Sequence, residues 1–240
     1  MKESDDMKGP VTVDFHAHIL PGADHGSDRL ETSLRQLDII ASYGIEYVVA
    51  TPHFYPTSDN LDRFFSRIND SVEELKRGMR PGSPKVFRGA EVLICDGIDR
   101  MEGLEALAVD GTNCILLEMP MTRWNDATFD TVDAITRSGL TPVMVHIDRY
   151  EPKYIDELMK LDVLAQLNPG VFASFRGRRF AEKWLSSGKV AAVGSDLHMA
   201  NEKDYKAFAN ACVALKGHVD AVQRSMKTLL AGAKPINTME

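Results

Sequence analysis

Nine side chains of the kinds that hold metal ions follow short apolar runs in this chain: His16, His18, His25, His53, Glu91, Glu118, His146, Asp196 and His198. A single histidine is an ordinary core or surface residue. His16-Ala-His18 says more, because alternate residues on an extended chain point to one side and can grip one ion. Asp196-Leu-His198 repeats that spacing with an oxygen donor in front. Glu91 and Glu118 end apolar stretches, where an ionised carboxylate is costly unless a cation compensates it. A tetrahedral ion takes four ligands, and catalytic ions keep one position open for water or substrate, so nine donors exceed the needs of one ion. Imidazole and carboxylate without thiolate suit Mn, Fe or Zn, in two or three divalent or trivalent ions with Glu91 or Asp196 as bridges. Such clusters bring the pKa of a bound water towards neutral and clamp an anionic oxygen, which suits phosphoester hydrolysis best.

A phosphate also needs cations that are not metals. Arg149 is the first choice, since a guanidinium grips two phosphate oxygens, and with Asp196 it forms the expected catalytic pair. Arg176, Arg178 and Arg179 offer a second phosphate-binding group, equally readable as a solvated basic face. The thiol route to phosphoester cleavage can be tested by counting, because its loop requires Arg six positions after the Cys. Cys95 meets Met101 at that offset, Cys114 meets Pro120, and Cys212 meets His218. That mechanism is excluded, and the three cysteines are expected in the core.

Residues so far apart in sequence converge only if the fold brings strand ends together. Val11–Phe15, Tyr47–Ala50, Lys85–Phe87, Cys114–Leu117, Thr141–Val145, Val163–Leu167 and Val190–Val193 are short, continuous and rich in β-branched residues. They read as parallel strands buried on both faces. Helical stretches alternate with them: 27–42, 59–78, 126–138, 153–160, 174–187, 201–216 and 219–231, with 101–109 as a further short helix. Ser27 opens the first, and Gly44, Gly139 and Gly188 follow helices as C-caps. Seven such units predict an α/β fold, a distorted, TIM-like (β/α)7 barrel in one domain over residues 10–240, although a doubly wound open sheet shares the alternation. In either, the carboxyl ends of the strands share one face, and that face carries the site.

Composition removes other classes. With 44% hydrophobic residues the chain can form its own core, and a net charge of −7 disfavours nucleic acid as a partner. Three scattered cysteines make neither a disulfide scaffold nor a CxxC zinc site. The acidic start lacks an apolar signal-peptide core, and no apolar run approaches the ~20 residues of a membrane span. The expectation is a cytoplasmic enzyme or binding protein with residues 1–9 as a flexible tail. The residues leave the oligomeric state open.

Asp14-Phe-His16-Ala-His18-Ile-Leu-Pro-Gly-Ala-Asp24-His25-Gly26 resembles the opening motif of the PHP (polymerase and histidinol phosphatase) superfamily. More narrowly, it is similar to the bacterial metal-dependent tyrosine phosphatases of capsule and exopolysaccharide operons. Ala50-Thr-Pro-His53, Gly89-Ala-Glu91, Leu116-Leu-Glu118-Met-Pro120, Pro142-Val-Met-Val-His146 with Arg149, and Gly194-Ser-Asp196-Leu-His198 match that branch in order and spacing. The resemblance runs from about residue 11 to about 201. It implies a distorted seven-unit barrel, a trinuclear centre often of manganese or iron, and phosphotyrosine hydrolysis by a metal-activated hydroxide. It further implies a phosphotyrosine protein as substrate, such as the tail of a bacterial tyrosine kinase, or else a small phosphoester.

Two departures bear on the site. Asp24-His25-Gly26 stands where the family carries Asp-Asp-Gly, so His25 replaces an anionic oxygen ligand with a nitrogen. One ion is then expected to bind more weakly or with altered preference, unless Asp24 serves as an accessory ligand. His146-Ile147-Asp148-Arg149 stands for His-Pro-Glu-Arg, which keeps the ligand and the guanidinium. A small-molecule phosphatase of the histidinol phosphate type is the alternative enzyme. A degenerate barrel that binds metal without turnover is the alternative outside enzymes, and His25 alone argues for it.

Overall fold

The structure, a computed structural model, describes residues 10–237; the proposed tail over residues 1–9 lies outside the described residues. In chain order the elements are β1 (Val13–Ala17), α1 (Leu30–Ser42), β2 (Tyr47–Ala50), β3 (His53–Phe54), α2 (Leu61–Gly78), β4 (Lys85–Arg88) and β5 (Glu91–Leu93). They continue with β6 (Cys114–Glu118), α3 (Asp126–Arg137), β7 (Thr141–Met144), α4 (Pro152–Leu158), β8 (Leu164–Leu167) and α5 (Phe175–Ser186). β9 (Val190–Val193), α6 (Glu202–Ala214) and α7 (Val219–Leu229) complete the set. The alternation read from the sequence is therefore met, and every paired strand runs parallel.

The strands form two sheets, ordered β1-β2-β4 and β3-β5-β6-β7-β8-β9. The division reflects two broken strands. Pro52, which has no N–H to donate, separates β2 from β3, and Gly89-Ala90 separates β4 from β5. Hydrogen bonds step across both breaks, from Gly89 N to Ala50 O at 2.9 Å and from Glu91 N to Pro52 O at 3.1 Å. At the far side the chain beyond β9 meets β1 at one bridge, Ala17 to Leu197. There Asp196 N donates to His16 O at 2.8 Å and His18 N to Leu197 O at 2.9 Å. A ladder joins the other neighbours; a single bridge joins these two.

Burial follows from apolar faces on both sides of the strands. All of β1, all of β9 and Cys114–Leu117 of β6 are inaccessible, as parallel strands covered by helices must be. Helix ends obey local rules. Asn60 caps α2 and Asn125 caps α3, each accepting a backbone N–H three residues on. Gly44, Gly139 and Gly188 take φ of 83, 95 and 73°, as expected of residues that stop helices.

Several local expectations change. α1 begins at Leu30, and Ser27 is a buried residue bonded to Gln36 instead of a cap. The short helix expected over 101–109 is replaced by two single 3-10 turns, Ile98–Arg100 and Leu104–Leu107, each entered by a left-handed glycine. Cys114 and Cys212 are buried as expected, but Cys95 is only half-buried, and all three thiols are unpaired. Desolvation pushes the Cys114 thiol up to about 12, which leaves no nucleophilic thiolate there.

Candidate metal centre

The polar residues singled out in the sequence gather where β1, β3, β5, β6 and the turn after β9 end. His16 Nε2 and His18 Nε2 lie 3.1 Å apart, and Glu91 Oε2 is 3.2 Å from each. Asp196 Oδ1 is 3.7 Å from His16 Nε2 and 3.4 Å from His18 Nε2. Ligands about 2.1 Å from an ion at tetrahedral angles stand about 3.4 Å from one another, so these four atoms have the spacing of a coordination shell.

Tautomers settle the fit further. His18 Nδ1 donates to Asp24 Oδ2 at 2.7 Å, and His16 Nδ1 lies 3.4 Å from the acceptor oxygen of Gln166. With a proton on each Nδ1, the two Nε2 atoms face each other and Glu91 Oε2, so the space between them is held by positive charge, either protons on Nε2 or a metal ion in their place. Burial opposes charge on His18, but Asp196, Asp24 and Glu91 outweigh it and hold its pKa well above the usual histidine range. The same competition ends with the His16 pKa raised. His53 supplies a second sign. Its buried Nδ1 stands 3.1 Å from Glu91 Oε2, yet is not aligned for any hydrogen bond, and burial lowers its pKa to about 4. An orphaned neutral imidazole nitrogen facing a buried carboxylate is what a metal ligand looks like without its ion.

Three donor sets have ligand atoms mutually within 4.8 Å: His16, His18, Glu91 and Asp196; His18, His53 and His198; and His53, Glu91 and Glu118. His18, His53 and Glu91 are each shared by two sets, so the sets adjoin. Burial and the neighbouring Glu91 charge raise the Glu118 carboxyl to about 7, whereas hydrogen bonds and positive neighbours overcome burial to hold Glu91 and Asp196 well below the usual carboxylate range. His146 Nε2 sits 2.8 Å from Glu91 Oε1 and 3.9 Å from Glu118 Oε1, at the edge of the third set. Its left-handed φ of 34° and the 54° of Asp196 mark two of the three non-glycine residues with positive φ among those described. Backbone strain of this kind concentrates where geometry serves function.

Besides His146, two residues expected as a ligand and an accessory ligand, His25 and Asp24, fall outside the three sets. His25 brings no nitrogen into any of the three sets; it is exposed and packs its ring on His53, with centroids 4.6 Å apart and planes at 10°. Asp24 lies outside the three sets too, and its oxygens accept from His18 Nδ1, Gly26 N and His53 N. It orients His18 instead. Carboxylate–histidine pairs of this type fix the tautomer and raise the basicity of the ligand. Among the arginines, Arg149 pairs through Nη2 with Asp196 Oδ2 while 46% of its side chain stays exposed. Arg178 uses Nε on Phe172 O at 2.8 Å, and it, Arg176 and Arg179 are exposed on the first turns of α5.

Sequence reading missed the residues behind the ligands. Gln166, fully buried on β8, accepts from His146 N at 2.7 Å and donates to Asn168 Oδ1 at 2.8 Å. Asn168 passes the chain on to Asp196 Oδ2 at 2.9 Å. Tyr150 accepts from Met119 N at 3.1 Å, and its oxygen lies 3.2 Å from His146 Nδ1. Asp14 accepts from Ser195 N at 2.8 Å and Tyr205 Oη at 3.1 Å, tying β1 to the turn after β9. The one available signal was Gln166 itself, an amide in the apolar run 163–167 that must find partners once buried.

Known proteins share this chain's sequence pattern and fold. Tyrosine-protein phosphatase CpsB of Streptococcus agalactiae is 23% identical over 206 residues, covering 78% of this chain and 82% of its own. The Streptococcus pneumoniae protein of the same name is 24% identical over the same length and shares. A solved chain described among YwqE of Bacillus subtilis and CpsB of Streptococcus pneumoniae, metal-dependent tyrosine phosphatases, superposes with a TM-score of 0.75. It is 18% identical and covers 95% of this chain and 99% of its own, so it establishes the shared fold. The profile of one family matches residues 12–229, nearly the whole described chain, and on that match the protein belongs to the capsular polysaccharide synthesis family CpsB/CapC.

Proposed function

We propose that the protein is a metal-dependent phosphomonoester hydrolase acting on phosphotyrosine in proteins. The observation that carries this reading is the convergence of His16 Nε2, His18 Nε2, Glu91 Oε2 and Asp196 Oδ1 at the mutual spacing of a coordination shell. The three adjoining donor sets support two or three ions of Mn, Fe or Zn, with His18, His53 and Glu91 serving more than one. His16, His18, Glu91 and Asp196, with His53, His198 and Glu118, would hold such ions, whose chemistry would be to acidify a water and offset the charge of a phosphate.

The chain's own residues supply the rest. Asp24 and Gln166 stand against the Nδ1 atoms of His18 and His16, which turns each Nε2 towards the site of an ion. Asn168 and Arg149 hold Asp196, and the exposed part of Arg149 offers further N–H donors to a phosphate at the mouth. Phosphate contact is assigned to Arg149 rather than to Arg176 or Arg178, because Arg178 is already engaged with Phe172 and both lie on the exposed helix. Exposure of 46% for Arg149 and 29% for His198 leaves the mouth reachable by a residue anchored in a protein. This favours a protein tail over an enclosed small molecule of the histidinol phosphate kind.

The capsular family and the names of the relatives support a phosphotyrosine partner in that biosynthetic system, such as a bacterial tyrosine kinase tail. The continuous apolar core supports residues 10–240 acting as one unit. No helix among the described residues is long and apolar enough to cross a membrane. A cytoplasmic location is proposed on the three unpaired thiols, which persist in a reducing compartment. Purified protein is expected to hydrolyse para-nitrophenyl phosphate and phosphotyrosyl peptides with added Mn²⁺, to stop in EDTA, and to act poorly on histidinol phosphate. Absence of turnover with every divalent metal tried overturns the proposal.

A further inference from the structure

Beside the metal centre, on the side of His53, lies an open recess of about 290 Å³. One wall is aromatic. The Tyr55 ring stacks on His53 with centroids 5.1 Å apart and planes at 15°, and His25 stacks on the same imidazole. The opposite wall is the first two turns of α2, which present Arg63 and Arg67.

Two acids, Asp24 and Asp59, and two arginines, Arg63 and Arg67, border this recess, and they are not all paired with one another. Arg67 has its charge paired, its Nη2 donating to Asp59 Oδ2 at 2.8 Å and its Nε to Ala23 O at 2.7 Å. Asp24 is likewise consumed by His18 and two backbone N–H groups. Arg63 is different. It is exposed, its one side-chain hydrogen bond among the described residues is a long one of 3.4 Å from Nη1 to Ser58 O, and no carboxylate among those residues pairs with it. Two of its nitrogens are left for a ligand, and the start of the 18-residue helix α2 adds positive potential beside it.

We propose that this recess binds the peptide segment next to the phosphotyrosine, with Arg63 selecting an acidic side chain there and Tyr55 and His25 giving the chain an aromatic surface to lie on. The inference rests on the phosphotyrosine reading of the metal centre and adds to it the class of sequence preferred. The distances allow it. Neighbouring Cα atoms are about 3.8 Å apart and alternate residues of an extended peptide about 7 Å, so a residue one or two positions away reaches a recess bordered by His53. It also gives His25 a purpose that ligation does not, since an exposed ring stacked over His53 widens the platform.

The experiment compares two phosphotyrosyl peptides that differ only in Glu or Gln at the two positions on each side of the phosphotyrosine, at low salt and with Mn²⁺. Their kcat/KM values are measured for the wild type, Arg63→Gln and Arg63→Glu. Binding of the matching non-hydrolysable phosphonate peptides is followed by calorimetry. The wild type is expected to prefer the Glu peptide about fivefold in both readouts, the effect of one partly exposed charge-assisted contact. Arg63→Gln is expected to bring the ratio near one, and Arg63→Glu to reverse it in favour of the Gln peptide. Equal handling of the two peptides by the wild type, or a preference that survives both substitutions, overturns the recess as a subsite. Para-nitrophenyl phosphate, which has no flanking residues, separates the two claims: if the wild type cleaves it, such a result strikes the recess alone, and if it does not, the phosphatase reading falls.

Discussion

Glu91 is the residue on which the site turns. Its two oxygens touch His16, His18, His53 and His146, all from within a shell that water does not reach. Glu91→Gln keeps the volume but removes the charge that balances those imidazoles. We expect metal content measured by atomic emission to fall and kcat to drop at least about 100-fold, with the fold retained by circular dichroism. Arg149 works at the rim. Arg149→Ala is expected to raise KM for aryl phosphates about tenfold with a smaller change in kcat, the pattern of a lost substrate contact. Arg149→Lys should recover little of it, because an ammonium cannot reach Asp196 and the phosphate with separate, fixed donors. An unchanged KM in Arg149→Ala moves the phosphate contact to the start of α5.

At the scale of elements, two glycines let the strands carry their histidines close together. A Cβ at Gly194 would lie 2.4 Å from the Cβ of His16 and 2.9 Å from Gln166 Nε2; one at Gly26 would lie 2.4 Å from the Cβ of His18. Neither space exists. Gly194→Ala is expected to cost roughly 1–3 kcal/mol, lowering Tm in a thermal melt, and to reduce metal uptake although it touches no ligand. Much of this layer could be read in advance. Strand runs such as 114–117 and 190–193 and the helix-ending glycines gave the alternation, because burial on both faces leaves continuous apolar stretches. Donors placed directly after those runs gave the ligand sets. What escaped reading depended on closeness across the chain. The two-residue strand β3 exists only because His53 and Phe54 find Glu91 and Val92 beside them. Asp24 could be named as a donor, but only coordinates reveal that its carboxylate meets His18 Nδ1 and two backbone N–H groups.

For the whole molecule, the centre couples stability to metal and to pH. An ion present at 100 times its Kd adds about 2.7 kcal/mol, or roughly 5–10 °C of Tm in a chain of this length. EDTA should therefore lower Tm by about that amount in a differential scanning measurement. The pH trend has a definite sign. His16 and His18 have folded pKa values raised above 6.5, so their protons stabilise the metal-free protein fully below about pH 6.5 and less as pH rises through the raised values. Bound ions need those same nitrogens unprotonated, and their affinity grows as pH rises. The gap in Tm between loaded and chelated protein is expected to widen from pH 6 to pH 8; a constant or shrinking gap contradicts the assignment of these two histidines.

The lone bridge between Ala17 and Leu197 lies directly beneath that cluster. His16 and His18 stand on one bank of this junction, Asp196 on the other, and backbone pairing there is thinner than anywhere else around the strands. Cations shared across the gap would act as rivets, supplying the cohesion that a full ladder gives its neighbours. Stripping them should let the seam breathe: amide hydrogen exchange at residues 16–18 and 195–198 is expected to quicken in chelator well before exchange in β6 or β7 changes, so that loss of the ions is felt first as a loosened hem.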